Sequence, residues 1–254
     1  MKTVILAGGF GTRLSEETIL KPKPMVEIGG IPILIHIMRY YMKYNFNEFI
    51  ILAGYKHEFI KDYFIKYVEM NNDIFIDTST NKIKIIDRIK ENFKVTILNT
   101  GNDSNTGGRL LRAKKFLKKE KNFLMTYGDG LSNVNLKKLV KHHLQSKLIC
   151  TLTAVNPVGK FGDLVLEDKI VKKFVEKPNA SKNWVNGGYF VMSNKIFSYL
   201  SDDKTILESD ALSSLSKDRQ LGFYAHNSFW KPMDTLNDKK ILNDLWSRSK
   251  APWA

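Results

Sequence analysis

The sequence predicts an α/β fold, a Rossmann-like, mostly parallel mixed sheet flanked by helices. Short apolar runs alternate along the chain with stretches whose apolar residues recur at helical spacing. This alternation is typical of β-α-β units, in which helices cover both faces of a parallel sheet. Hydrophobic residues make up 43% of the 254 positions and charged residues 26%, so a large buried core is expected.

The first half of the chain has the clearest pattern. Residues 3–7 form an apolar run that predicts a buried strand, and residues 33–44 carry an apolar helical face. The elements predicted next are a strand at 48–53, a helix at 59–67, a strand at 94–98, a helix at 110–117, a strand at 123–126 and a helix at 136–144. Residues 70–93 are polar and weakly patterned, which predicts a projecting hairpin or loop.

The second half predicts a smaller β-rich elaboration. Shorter strand-like pieces, broken by turn residues, lie at 149–155, 164–166, 170–175 and 189–192. A helix at 236–248 closes the chain. Because no repeat, low-complexity tract or linker interrupts it, residues 1–254 are predicted to form one domain with halves at 1–148 and 149–254.

Charge and cysteine content narrow the possible partners and compartment. Forty Lys and Arg residues against 26 Asp and Glu leave a net charge of +14, which favours nucleic acid, acidic lipid or phosphorylated small molecules. The single cysteine, Cys150, cannot form an internal disulfide, which favours a reducing cytoplasm. No run approaches the roughly 20 apolar residues of a membrane span, so neither secretion nor membrane anchoring is expected.

A glycine-rich turn directly follows the first predicted strand. Gly8-Gly9-Phe10-Gly11 would stand at the carboxyl end of that strand, where ligands gather in parallel sheets, and Arg13 adds a cationic fork. A phosphate cradle is favoured over a plain tight turn. The dinucleotide-binding fingerprint fails because Leu14 replaces its third glycine, and the segment from Gly11 to Arg13 lacks the Gly-Lys-Ser/Thr of a P-loop.

Other candidates for chemistry are isolated charged groups near strand ends. Pro22 and Pro24 stiffen the backbone around Lys23, which suits phosphate clamping, although a solvated loop fits equally well. Asp129 lies between two glycines after a strand, as either a Mg²⁺ ligand or a turn residue. Asp234 precedes the last helix, as either a metal ligand or a helix cap.

Several enzyme classes are disfavoured by absent motifs. The sequence contains no Gly-x-Ser-x-Gly elbow, no His-Glu-x-x-His pair and no Cys-x-x-Cys, so serine hydrolase and zinc chemistry are disfavoured. The five histidines show no metal-ligand spacing. His36 and His143 lie within helical stripes, which favours structural roles for both.

The motifs taken together resemble a known family. The segment 6–14, followed by 21–25, resembles the signature of sugar-1-phosphate nucleotidyltransferases. Within that family the chain is similar to glucose-1-phosphate cytidylyltransferases from residue 2 to residue 253. That similarity includes Thr106-Gly107-Gly108-Arg109, Tyr127-Gly128-Asp129-Gly130, Glu176-Lys177-Pro178, Asn186-Gly187-Gly188 and Phe229-Trp230-Lys231-Pro232-Met233-Asp234-Thr235.

The resemblance implies a nucleotidyltransferase fold and a definite reaction. A phosphate oxygen of α-D-glucose 1-phosphate would attack the α-phosphorus of CTP with Mg²⁺ as cofactor, giving CDP-glucose and pyrophosphate. The product would supply deoxysugar or surface polysaccharide synthesis, such as O-antigen lipopolysaccharide. Residues 1–148 would bind the nucleotide and residues 149–254 the sugar phosphate. A homo-oligomer, a hexamer in the family, is also implied, with residues 70–93 reaching a neighbouring subunit.

The resemblance also implies roles for individual residues. Arg13, Lys23, Asp129 and Asp234 would be catalytic, the two aspartates as Mg²⁺ ligands. Nucleotide contacts would also come from Leu6, Ala7, Gly8, Gly9, Gly11, Thr12, Thr106, Arg109 and Gly128. The sugar phosphate would be bound by Tyr127, Glu176, Lys177, Asn186 and Gly187.

One departure from the family pattern leaves the substrates open. Lys160 and Asp163 stand where cytidylyltransferases have Arg and Ala, so a carboxylate is added near the expected sugar pocket. The alternatives are a related enzyme that uses UTP, dTTP or another sugar phosphate, and a non-enzymatic protein that binds nucleic acid. The second is remote because the aromatic residues fall mainly on apolar helix faces and strands rather than beside basic stripes.

Overall fold

The first half of the chain forms the alternating strands and helices that its apolar pattern predicts. The computed structural model describes residues 1–86, 91–157, 163–167, 170–175 and 184–254. Up to residue 148 the strands and helices are β1 (Thr3–Ala7), α1 (Ser15–Thr18), β2 (Glu27–Ile28), β3 (Ile31–Pro32), α2 (Ile33–Met42), β4 (Glu48–Ala53), α3 (His57–Ile65), α4 (Tyr67–Met70), β5 (Ile74–Asp77), β6 (Lys82–Ile85), β7 (Lys94–Asn99), α5 (Thr106–Arg112), α6 (Lys114–Leu117), β8 (Asn122–Tyr127), β9 (Gly130–Ser132) and α7 (Leu136–Ser146).

The second half adds strands to the same sheet and closes with a helix. Its described strands and α-helices are β10 (Cys150–Val155), β11 (Asp163–Glu167), β12 (Ile170–Val175), β13 (Val185–Ser193), α8 (Ser213–Lys217), β14 (Leu221–His226), β15 (Trp230–Pro232) and α9 (Leu236–Ser247). A 3-10 segment at Asn194–Tyr199 and a π-helical turn at Leu207–Leu212 precede α8. Sequence patterning predicted neither of these segments, nor α8 or β14.

The central sheet is mostly parallel, as predicted. Its seven described strands run in the order β14-β10-β13-β8-β1-β4-β7. β1 pairs in parallel with β4 and β8, β4 with β7, and β10 with β14. Only β13 among these strands runs antiparallel to its neighbours, β8 and β10. The predicted α/β class is therefore confirmed, and the carboxyl ends of β1 and β8 meet at one edge.

The core lies on both faces of this sheet. Successive side chains of β1 alternate between the faces, so Ile5 belongs to one apolar cluster while Val4 and Leu6 belong to the other. The first cluster includes residues of α2, α7 and α9, and the second those of α5 and the 196–215 segment. Burial on both faces explains why inner strands such as β1 and β4 read as continuous apolar runs rather than alternating ones.

The β-rich elaboration is smaller than the strand pattern suggests. β10, β13 and β14 join the central sheet, while β11 and β12 form a separate two-stranded antiparallel sheet among the described residues. Within residues 70–93, β5 and β6 form the predicted hairpin, and positions 87–90 lie outside the described residues. Across the part of the chain that the structure describes, every helix is too short or too polar to cross a membrane.

Candidate active site

A cleft of about 650 Å³ opens at the carboxyl ends of β1 and β8. It brings together thirteen of the predicted residues, which are Leu6, Ala7, Gly8, Gly9, Gly11, Thr12, Arg13, Lys23, Thr106, Arg109, Tyr127, Gly128 and Asp129. Its other lining residues include the loop 102–105 and Lys204, which sequence reasoning missed. The residues at the end of β1 and those at the end of β8 are far apart in the sequence. The parallel pairing of these two strands brings them together in the cleft.

A smaller cavity of about 40 Å³ adjoins the cleft on the side predicted to hold the sugar phosphate. Asn186 and Gly187 line it, and Tyr127 and Asp129 line both spaces. The Trp230 indole Nε1 donates a hydrogen bond of 2.7 Å to the Gly187 carbonyl, which fixes the backbone there. Tyr127 and Asp129 thus mark the boundary between the two sides of the site.

The glycine turn after β1 is shaped by close approaches that a side chain would block. A Cβ atom on Gly8 would lie 2.3 Å from the Arg109 guanidinium, and Gly11 has a φ of +66°, in the left-handed region. The Thr18 hydroxyl donates to the Gly11 carbonyl at 3.1 Å and closes the loop. The loop therefore wraps tightly over a buried cation at the floor of the cleft.

That cation, Arg109, is only 5% exposed. Its guanidinium donates to the Thr100 hydroxyl at 2.6 Å, the Gly101 carbonyl at 2.6 Å and the Asn102 carbonyl at 3.1 Å. Burial lowers the pKa of Arg109, and the nearby positive charge of Arg112 lowers it further. Arg109 lines the cleft and also ties its 100–102 wall to helix α5.

Four charged groups predicted to be catalytic converge at the mouth of the cleft. Lys23 Nζ donates to Asp129 Oδ2 at 2.6 Å and to Asp234 Oδ1 at 2.7 Å. Arg13 Nη1 donates to Asp234 Oδ2 at 2.9 Å. Burial by itself lowers the pKa of Lys23, but the attraction of both carboxylates outweighs it, so the pKa is raised and the ammonium stays protonated.

The carboxylate pair fits a hard divalent cation. Asp129 Oδ2 and Asp234 Oδ1 lie 2.6 and 2.7 Å from the same Lys23 nitrogen, so both carboxylates face one point. Magnesium commonly takes one or two protein carboxylates and completes its shell with substrate phosphates and water. Among the described residues no group of three or more His, Cys, Asp or Glu side chains forms, so phosphate oxygens would have to supply further ligands.

The alternative of Asp234 as a helix cap does not hold. Helix α9 is capped by Thr235, whose side chain accepts from the Asp238 backbone amide while the Asp238 carboxylate accepts from the Thr235 amide. This reciprocal capping box satisfies the first turn of α9. The Asp234 carboxylate is left to Arg13 and Lys23.

Glu208 is a functional candidate that sequence reasoning missed. Its Oε1 accepts from the Tyr127 hydroxyl at 2.5 Å and its Oε2 from the Thr106 hydroxyl at 2.6 Å. Burial, with the negative charge of Glu208 beside it, raises the pKa of Tyr127 well above its usual range. Glu208 lies in an unremarkable polar stretch, and no local motif distinguishes it.

Some of the residues discussed from the sequence do not lie among the described residues, and two histidines have structural roles. Lys160, Glu176 and Lys177 lie outside the described residues, and Asp163 begins β11. The prediction that His36 and His143 are structural agrees with their burial. His36 contacts the Ile28 carbonyl at 2.9 Å, and His143 contacts the Thr151 hydroxyl at 2.9 Å.

The fold is that of the nucleotidyltransferases. Residues 2–237 match the model of the family described as "Nucleotidyl transferase", and the chain belongs to that family. The predicted class of nucleotidyltransferase is therefore confirmed.

Comparison with individual proteins shows which members of the family the chain resembles. The chain is 44% identical over 253 residues to "Glucose-1-phosphate cytidylyltransferase" of Salmonella typhi, with 100% of this chain and 98% of that protein covered. It is 44% identical over 254 residues to "Probable glucose-1-phosphate cytidylyltransferase" of Bacillus subtilis, with 100% and 99% covered. The fold is similar to that of a UDP-glucose pyrophosphorylase complexed with UDP-glucose, with a TM-score of 0.70, 19% identity and 98% of each chain covered.

Proposed function

We propose that the protein transfers a cytidylyl group from CTP to α-D-glucose 1-phosphate, releasing CDP-glucose and pyrophosphate. The observation that carries this proposal is the meeting of Lys23, Asp129 and Asp234 beside the glycine loop, in a chain 44% identical to glucose-1-phosphate cytidylyltransferases. Transfer at a phosphorus atom requires two anions held in line and the growing charge neutralised, rather than a protein nucleophile. The cleft supplies cations for that task.

We assign the nucleotide to the half containing residues 1–148 and the sugar phosphate to the half containing residues 149–254. The backbone amides of the turn at Gly8, Gly9 and Gly11 would bind the triphosphate, with Arg13 and Lys23 neutralising its charge. Leu6, Ala7, Thr12, Thr106, Arg109 and Gly128 would line the nucleotide. On the other side, Tyr127, Asn186 and Gly187, with Glu176 and Lys177, would bind the sugar phosphate.

We also assign the metal site to Asp129 and Asp234, with Mg²⁺ as the ion. When bound, Mg²⁺ would polarise the α-phosphate and screen its charge from the attacking oxygen. The two carboxylates, which both contact Lys23 in this structure, would hold and orient the ion. Attack by the sugar phosphate needs no general base, because its oxygen is already anionic near neutral pH.

The assembly and compartment complete the proposal. Apolar side chains of the β5–β6 hairpin are more than half exposed at Phe75, Ile76 and Ile83, as is Ile86 just after it. An apolar surface of this kind suits contact with a second copy of the chain, and we propose a homo-oligomer built through it. We place the reaction in the cytoplasm, where the buried free thiol of Cys150 would stay reduced.

A product assay tests the substrates directly. The purified protein is incubated with each of CTP, UTP, dTTP, ATP and GTP, crossed with several sugar 1-phosphates, with and without Mg²⁺. We expect the highest kcat/KM for CTP with glucose 1-phosphate and no pyrophosphate release without a divalent metal. A tenfold higher kcat/KM with UTP or dTTP would reject the nucleotide assignment, and the same preference for another sugar would reject glucose 1-phosphate.

A further inference from the structure

Glu208 lies behind the two sides of the active site rather than in either of them. It does not line the main cleft or the small cavity, yet its two carboxylate oxygens contact residues that do. Thr106 lines the cleft on the nucleotide side, and Tyr127 lines both spaces. Tyr127 in turn accepts a hydrogen bond of 3.3 Å from Asn186 Nδ2 in the small cavity. One chain of hydrogen bonds therefore runs from Thr106 through Glu208 and Tyr127 to Asn186.

The backbone that carries Glu208 is clamped to helix α5. The amides of Gly107 and Gly108 donate to the Thr205 carbonyl at 3.0 and 3.1 Å, which satisfies two otherwise unpaired donors of the first helical turn. A Cβ atom on Gly108 would lie 2.4 Å from the Asp203 carbonyl oxygen. The two glycines thus let the segment 203–208 approach the helix closely enough for Glu208 to reach Thr106.

The ring of Tyr127 is fixed independently of its hydroxyl. Gly188 has a φ of +79°, and a Cβ atom there would lie 2.6 Å from the Tyr127 ring. Phe190 packs edge-on against the same ring, with 5.8 Å between centroids. Packing therefore sets the plane of the ring, and Glu208 alone among the described contacts accepts the hydroxyl proton, which turns the oxygen lone pairs toward Asn186.

We infer that Glu208 is a positioning residue. It orients the Tyr127 hydroxyl and Thr106 so that the sugar phosphate is held in the correct position relative to the nucleotide. The inference rests on the proposed function, because it assigns Tyr127 and Asn186 to the sugar side. Glu208 acts through the length of its side chain, which spans two hydroxyl groups. Glu208 lies on the six-residue π-helical turn at Leu207–Leu212, a form of backbone that is frequent at functional sites.

Two conservative variants separate length from charge. Glu208→Asp keeps the charge but is one methylene shorter, so it cannot span both hydroxyls; Glu208→Gln keeps the length but loses the charge and one of the two acceptor oxygens. We expect Glu208→Asp to raise KM for the sugar 1-phosphate at least tenfold with a smaller change in kcat, and Glu208→Gln, whose amide oxygen can still accept from the Tyr127 hydroxyl, to raise it less. Asp218→Asn is the matched control, because Asp218 accepts from the Tyr199 hydroxyl at 2.8 Å on the protein surface.

A double-mutant cycle tests whether Glu208 acts through Tyr127. Glu208→Asp should change KM less than twofold in a Tyr127→Phe background, because the hydroxyl it orients is then absent. Fully additive effects, wild-type behaviour of Glu208→Asp, or a greater loss in Glu208→Gln than in Glu208→Asp would each overturn the inference.

The readouts keep this inference apart from the proposed function. All variants are assayed with whichever nucleotide and sugar pair the wild-type protein prefers, and the affinity for that sugar 1-phosphate is also measured by isothermal titration calorimetry. If the wild-type protein prefers another pair of substrates, the proposed substrates are rejected. The role of Glu208 is then still decided by comparing KM for the preferred sugar 1-phosphate among the variants. Circular dichroism and thermal melting confirm that the variants fold.

Discussion

The Nζ atom of Lys23 lies 2.7 Å from Oδ1 of Asp234, 211 positions later in the sequence. The same nitrogen lies 2.6 Å from Asp129 Oδ2, and Arg13 contacts the second oxygen of Asp234. Two cations therefore neutralise two carboxylates at the place where the proposed metal would bind. The first two predictions concern this cluster.

Removing either carboxylate charge should depress turnover strongly. Asp129→Asn and Asp234→Asn keep the side-chain size but lose the charge that holds a hard cation. We expect kcat to fall at least a hundredfold in each, measured by pyrophosphate release across a Mg²⁺ titration, with unchanged circular dichroism. Glu27→Gln is the control, because Glu27 pairs with Lys21 outside the cluster. Near-wild-type kcat at limiting Mg²⁺ would show that the replaced aspartate is not a metal ligand.

Replacing Lys23 should strengthen metal binding in the absence of nucleotide. A divalent ion entering the present cluster would join two cations and two anions and leave an excess of positive charge in a half-buried site. Lys23→Met removes one competing cation at similar length, so the apparent affinity for Mn²⁺ should rise at least tenfold.

The measurement for Lys23 is the free Mn²⁺ signal in electron paramagnetic resonance, which needs no turnover. Lys21→Met serves as the control. Lys21 lies two positions before Lys23 in the sequence, but it pairs with Glu27, at 2.7 Å, and not with either aspartate. An equal gain in the control would assign the effect to overall charge. Unchanged affinity in Lys23→Met would mean that the ammonium does not compete with the metal.

Local patterning singled out the glycine loop and Asp129 after strands, Lys23 between two prolines and Asp234 before the last helix, and the family resemblance supplied their predicted roles. The sequence did not reveal that one lysine joins both carboxylates, since that contact is between residues more than 100 positions apart. Glu208 was missed for a related reason. Its role comes from the close approach of segment 203–208 to helix α5, and the only local trace is the glycine pair at 107–108, which resembles a ligand loop.

That close approach makes Gly108 sensitive to a single methyl group. An added Cβ would meet the Asp203 backbone at 2.4 to 2.5 Å, and no side-chain rotation can relieve a clash with backbone. Gly108→Ala should lower the free energy of unfolding by roughly 1–3 kcal/mol in urea denaturation. At Gly130 an added Cβ meets nothing within 4 Å, so Gly130→Ala should lose much less. Equal losses would show that the clash with the Asp203 backbone does not decide the stability.

The pH dependence of stability should contain a contribution from His143. Its ring lies between the Thr151 hydroxyl, 2.9 Å from Nδ1, and the side-chain oxygen Oδ1 of Asn122, 3.3 Å from Nε2. The neutral ring therefore donates from Nε2 and accepts at Nδ1, so protonation would break the bond from Thr151. Burial, aided by the neighbouring charge of His142, lowers the pKa of His143 to about 4.

Because the folded-state pKa lies below the unfolded value of about 6.5, the unfolded chain takes up this proton first as pH falls. The stabilisation is thus complete above pH ~6.5 and is lost between there and the folded pKa, by up to about 3 kcal/mol. We expect His143→Gln to lose less stability than wild type between pH 7 and 4.5 in urea denaturation. His142→Gln, at an exposed position, should keep most of the wild-type dependence. Parallel curves for wild type and His143→Gln would mean that His143 does not stay neutral in the folded protein.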